Sequence, residues 1–147
     1  LDEVVVIGYG TVKKRDLNMR DVVNMAAMVE MEAVFAEEQP RIAGVFLKRV
    51  EIGMPIQSDT TIQYILGAQK ETITFKDTEI DNPYNTYQNF GLPPGPIGSP
   101  SLSAIQAVLE PEQTDYLYFV AQNDGHHRFS RTYAEHLRAI DEIYYGR

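Results

Sequence analysis

The sequence predicts an α+β fold: a buried N-terminal helix pair, a long ordered Tyr/Pro-rich loop, a small antiparallel sheet and a C-terminal helix. Three observations carry that prediction. From Asp21 to Phe35, apolar residues fall on nearly every face of a 3.6-residue period, the pattern of a buried helix. Residues 68–100 are dominated by turn and extended chemistry. Tyr116–Ala121 is aromatic and β-branched and runs into Asn123-Asp124-Gly125, a hairpin signal. Helices with few strands, not alternating, give α+β rather than α/β.

Taken in order, Val4-Val5-Val6-Ile7 reads as a short strand, Gly8-Tyr9-Gly10-Thr11 as a turn and Lys13-Lys14-Arg15-Asp16 as a polar linker. Gly8 and Gly10 do not make a dinucleotide loop, because Lys13 takes the place of the third glycine and a basic cluster follows. Asp21 caps the first helix. Pro40 interrupts, and a second helix runs from about Arg41 to Ile52, with Ile42, Val45, Phe46 and Val50 inward and Gly53 at its end. Ser58 or Asp59 caps a short third helix to Gly67. Thr72–Phe75 is the one strand candidate in the middle. Asn82-Pro83-Tyr84-Asn85-Thr86-Tyr87 and Gly91-Leu92-Pro93-Pro94-Gly95-Pro96 make the long loop, and loops of that length are functional or disordered; the interleaved Tyr and Asn argue for order. Ser101 caps a helix to about Leu109, Arg128–Ser130 returns the hairpin, and Thr132 caps a last helix ended by Gly146.

Composition excludes several function classes. Among 147 residues, 13 Lys+Arg against 21 Asp+Glu give a net charge of −8, which disfavours binding to a nucleic-acid backbone. No apolar run reaches the ~18 residues of a membrane helix, so no membrane segment is expected in this chain. The absence of cysteine removes disulfides, thiolate metal sites and thiol nucleophiles. The chain starts at Leu1 without a basic signal region, and is expected to be a fragment or a processed product.

Glu30 and Glu32 interrupt the first helix. Two residues apart is about 200° of rotation, so they face opposite sides and cannot work as a pair. Each has apolar neighbours one turn away; burial there favours the neutral acid, which suits a general acid. The alternative is that one or both reach solvent or pair with Arg41 or Arg49. Tyr84, Tyr87, Asn85, Asn89 and Gln57 offer stacking faces and amides suited to sugars, or else they pack a structural Ω-type loop. His126 and His127 point to opposite faces of a strand and do not chelate one ion, so no metal and no cofactor is expected.

An ordered series of motifs goes further. Val29-Glu30-x-Glu32, Glu37-Glu38-x-Pro40, Val45-Phe46-x-x-Arg49 and Gly53-Met54-x-x-Gln57-Ser58-Asp59 come first. Asn82–Tyr87, Gly91–Ile97, Thr114–Val120, Asp124–Thr132 and His136 follow. From Asn18 to Arg138 this series resembles the C-terminal part of the YceG-like family of endolytic murein transglycosylases. The resemblance implies non-hydrolytic cleavage of the β-1,4 bond after N-acetylmuramic acid, leaving a 1,6-anhydro end. It implies Glu32 as the catalytic acid/base, Gln57, Asp59, Tyr84, Asn85, Thr86, Tyr87 and His127 as substrate-binding, and Glu30, Glu37 and Arg49 as supporting residues. Peptidoglycan glycan strands are the implied partner, and the periplasmic face of the cell envelope the implied location. The chain departs from the family pattern at Ala33, Lys48, Thr60, Ser101 and His126. A catalytically inactive glycan-binding module of the same fold, and a fusion or designed protein without activity, are the alternatives. A lyase chemistry needing a pyridoxal-phosphate lysine has no lysine in the matched motifs.

Residues 1–17 carry a second resemblance, to the segment before the plug in SusC/RagA-type TonB-linked outer-membrane proteins. It implies TonB as a partner through strand addition. That segment is expected to be an added edge strand or a loose tail, with residues 18–147 forming the transglycosylase domain.

Overall fold

The computed structural model describes residues 18–147 and, ahead of them, the backbone of two short strands. Those strands, β1 (Val4–Val6) and β2 (Thr11–Lys13), pair with each other, Val4 opposite Lys13 and Val6 opposite Thr11. They add no strand to the sheet further along the chain. The rest of the expectation for residues 1–17, including TonB binding, lies outside the described residues. Five helices and a second hairpin complete an α+β fold, as the sequence predicts.

Helix α1 spans Met19–Glu32 and is displaced from its predicted limits. Asn18, not Asp21, is the cap, its Oδ1 accepting from the Asp21 N–H at 2.9 Å. The helix stops at Glu32 because Ala33 turns extended, with φ −84° and ψ 129°. Val34 and Phe35 then pack against the turn of the later hairpin. At Gly125, φ is +91° and an added Cβ would lie 3.2 Å from Phe35 Cε2 and 3.3 Å from Val34, so this turn requires glycine. The apolarity of Val34 and Phe35 thus serves a loop contact rather than a helix face.

Helix α2 spans Gln39–Glu51 and contains Pro40 in its first turn, where the missing N–H would have had no partner. Pro40 therefore starts this helix instead of breaking the chain before it. At Gly44 a Cβ would meet Glu112 O at 2.4 Å, so the segment after the fourth helix crosses directly over the α2 backbone. Helix α3 (Asp59–Leu66) ends at Gly67 with φ +70°. Thr72–Phe75 forms no strand. Thr74 and Asp77 exchange side-chain-to-backbone hydrogen bonds, which close a turn into a 3₁₀ segment at Asp77–Glu79.

Helix α4 (Leu102–Leu109) is capped by Ser101, and α5 (Tyr133–Tyr145) by Thr132. Between them β3 (Tyr118–Ala121) pairs antiparallel with β4 (His127–Ser130), Phe119 facing Phe129 across the ladder. Tyr116 and Leu117 fall outside β3, although Leu117 N–H still donates to Ser130 O. The core lies between α1, α2 and α4. Ala26, Ala27, Ala43, Ala104 and Ala107 let the helices approach closely, and Met25, Met28, Ile42, Phe46 and Val108 fill the space between them. Phe119 and Phe129 bring the hairpin onto this core.

The long loop is knit by its own asparagines. Asn85 Nδ2 donates to the carbonyls of Thr78 and Ile80 at 3.0 and 2.8 Å, and Asn89 Nδ2 to that of Asn82. Asn24 of α1 holds it from the other side, donating to Pro93 O at 2.6 Å. The end of α1, the start of α3 and this loop converge beside one cavity.

Candidate active site

Glu32 ends α1 half-buried in the wall of a cavity of about 510 Å³. Met31 and Ile97 give that wall an apolar side. Asp59, Thr60, Gln63 and Tyr64 of α3, with Gly67–Gln69 beyond it, form the rest. Glu30 faces the other way, as the helical rotation requires: its carboxylate accepts from the Ser101 N–H at 2.6 Å and ties α1 to the start of α4.

Arg49 is buried at the hinge of the site. Its Nε donates to Leu117 O at 2.7 Å and its Nη1 to Ile56 O at 2.6 Å, joining α2, the segment before α3 and the approach to β3. Burial pushes its guanidinium pKa down, opposed by Tyr118, Tyr87 and Glu32. That segment then passes through Gln57, whose φ of +53° is unusual for a residue with a side chain.

The electrostatics favour a neutral Glu32. Burial pushes its carboxyl pKa up and the Asp59 charge adds to this, while the Ser58 hydrogen bond, His127 and Arg49 oppose it. Burial also raises Asp59, against the hydrogen bond it accepts from the Tyr87 hydroxyl. The Tyr87 phenol is pushed up by burial and by Asp59, so it remains a donor. The cavity thus presents two carboxyl groups that burial shifts toward their protonated forms, Asp59 with the opposing hydrogen bond from the Tyr87 phenol.

A model described as the YceG-like family matches residues 5–142. The chain belongs to the YceG-like family. An endolytic murein transglycosylase of Bacillus subtilis is 42% identical over 130 residues, covering 88% of this chain and 36% of that protein. One from Streptococcus pneumoniae is 36% identical over 97% of this chain and 27% of its own. The crystal structure of a YceG-like protein from Listeria monocytogenes superposes with a TM-score of 0.81 at 42% identity, covering 86% of this chain and 41% of that one. The chain therefore spans about a third, or less, of the curated relatives it matches.

Within this YceG-like chain the residues predicted for the site separate into groups. Glu32 and Asp59 share the cavity, and Tyr87 joins them through Asp59. Tyr84 does not line it; its ring stands 4.9 Å from that of Tyr64, which does. Gln57 is exposed next to the site. Asn85 and Thr86 are buried, 0% and 1% exposed, with their polar atoms engaged inside the protein, so they shape the loop rather than face a ligand. His127 is buried too. Its N–H donates to both Glu38 carboxyl oxygens at 3.1 Å, and Nδ1 lies 2.9 Å from Oε1. Glu38 thus holds His127, while the exposed Glu37 lies 3.7 Å from His126 Nε2. His126 instead stacks on Phe35 at 4.0 Å.

Tyr64, Thr60 and Ser58 are the residues that sequence reasoning missed at the site. A helical projection would have found the first two. Asp59, Thr60, Gln63, Tyr64 and Gly67 share one face of α3, opposite the buried Ile62. No described helix is long and apolar enough to cross a membrane.

Proposed function

We propose that this chain is the catalytic part of a lytic transglycosylase that cleaves glycan strands of peptidoglycan in the bacterial cell envelope. The observation that carries this reading is Glu32, an acid with a raised pKa in the wall of a sugar-sized cavity; the motif resemblance implies the acid/base role for it, and the curated relatives carry the transglycosylase name. Glu32 would give its proton to the glycosidic oxygen as the bond to the anomeric carbon breaks. The resulting carboxylate would take the proton of the sugar's own 6-hydroxyl as that oxygen bonds to the anomeric carbon. The proton count closes on Glu32, and no water enters the product. Asp59, held by Tyr87, would offset the positive charge that develops on the ring. Two-carboxylate hydrolysis differs in needing a water or an enzyme nucleophile at the anomeric carbon.

The test is digestion of purified glycan strands followed by mass spectrometry. Products carrying 1,6-anhydro ends are expected from the chain, and none from Glu32→Gln with an unchanged circular dichroism spectrum. Reducing ends in place of anhydro ends would reject the intramolecular step, and anhydro product from Glu32→Gln would reject Glu32.

A further inference from the structure

Ser58 occupies the N-cap position of α3, where a serine hydroxyl ordinarily accepts a backbone N–H from the first turn. Here its side chain makes no such bond. Its Oγ instead donates to Glu32 Oε1 at 2.9 Å and shares a 2.6 Å hydrogen bond with Thr60 Oγ1. A hydroxyl has one proton. With that proton on Glu32, Thr60 must be the donor of the second bond, and the polarity runs from Thr60 through Ser58 to the carboxyl group.

The backbone that aims Ser58 is held on every side. Gln57 N–H donates to Thr86 O at 3.1 Å, Ser58 N–H to Thr86 Oγ1 at 2.9 Å, and Thr61 Oγ1 to Ser58 O at 2.7 Å. Ser58, Thr61 and Thr86 are each no more than 2% exposed. Gln57 accepts a φ of +53°, a conformation that costs a residue with a side chain free energy and persists where the surroundings impose it. The forgone cap and the strained residue point the same way: local stability is given up so that one hydroxyl reaches Glu32.

We infer that Ser58 is a positioning residue for Glu32, holding one carboxyl oxygen through a hydroxyl aimed by the Gln57 turn and the Thr86 clamp, and leaving the other oxygen to meet the glycosidic oxygen. The inference rests on the acid/base reading of Glu32. The hydrogen bond strengthens when Glu32 becomes a carboxylate, so it stabilises the state formed as the proton leaves. The charged and titratable groups around Glu32 are Arg49 of α2, Asp59 of α3, His127 of β4 and Tyr87 of the loop. Ser58→Ala leaves all of them in place.

Two readouts in the same chain test this. In kinetics on glycan strands, Ser58→Ala is expected to lower kcat by about 10–100-fold with KM changed by less than about twofold, and Ser58→Thr to restore most of it. In a ¹³C-carboxyl NMR titration, which needs no turnover, the Glu32 midpoint is expected to move to higher pH in Ser58→Ala, because a donor to the carboxylate is lost, and to return in Ser58→Thr. An unmoved midpoint with unchanged kcat overturns the inference. Wild-type chain that yields no anhydro product counts against the proposed activity instead, and leaves the titration to decide on Ser58. If Ser58→Ala does not fold, Thr60→Val removes the donor that orients the Ser58 hydroxyl. A midpoint that rises there supports the inference, and one that stays overturns it.

Discussion

At the scale of the residue, Glu32 has two properties that reinforce one another. Burial favours its neutral form, and its place as the last residue of α1 puts it at the negative end of the helix dipole, with no basic residue in that turn to compensate. A folded-state pKa above the unfolded value means that the carboxylate form works against the fold. The penalty is fully present above the folded pKa and absent below the unfolded value of 4.5. Glu32→Gln should therefore raise the melting temperature at about pH 8, by roughly 2–4 °C for each kcal/mol relieved. The gain should shrink as pH falls through the folded pKa and be gone at about pH 4. Thermal unfolding at the two pH values checks this, and an equal gain at both would trace it to packing instead. That Glu32 and not Glu30 faces the cavity was not readable from helix geometry, which separates the two but ranks neither. The matched motif made that choice.

At the scale of the element, α3 carries the side of the cavity facing Glu32. Its apolar Ile62 is fully buried, and its polar face supplies Asp59, Thr60, Gln63 and Tyr64. Gln63 exchanges two hydrogen bonds of 2.7 Å with the Lys70 backbone, which fixes the turn after the helix and with it the far wall. Tyr64 stays 46% exposed beside that wall, backed by Tyr84, and on the proposed function its ring face would stack on a sugar. Tyr64→Ala should weaken binding of a glycan oligomer by about 5–150-fold, the equivalent of roughly 1–3 kcal/mol for loss of an aromatic stacking face, with the fold retained. Calorimetric titration in the Glu32→Gln background checks it, and unchanged affinity would remove Tyr64 from the site. Elements closed by local chemistry were legible in the sequence: α5 between Thr132 and Gly146, α4 after Ser101, the hairpin around Asn123–Gly125. Elements whose limits depend on distant partners were not. Phe35 left the helix pattern to meet Gly125, and Thr72–Phe75 had no strand to pair with.

At the scale of the whole molecule, the proposed function would set a charge of −8 against a polymer whose stem peptides also carry carboxylates. Recognition then rests on stacking and hydrogen bonding, and screening should help it. Raising sodium chloride from about 50 to about 300 mM shortens the Debye length to well under ~14 Å, and glycan affinity should hold or rise over that range. A steep loss of affinity would reveal a cationic contact that the charge balance does not predict.

The ties that build the site also join distant parts of the chain. Asn24 to Pro93, Glu30 to Ser101, Arg41 to Glu112 and Glu38 to His127 span 69, 71, 71 and 89 residues. Large sequence separations slow folding, because loop-closure entropy is lost before the contacts form. During synthesis α1 and α2 emerge with these polar groups unmatched, and their partners arrive only with the second half of the chain. The contact between Glu38 and His127 is therefore expected to close late, after the cavity-lining residues between Met31 and Ile97 have been made.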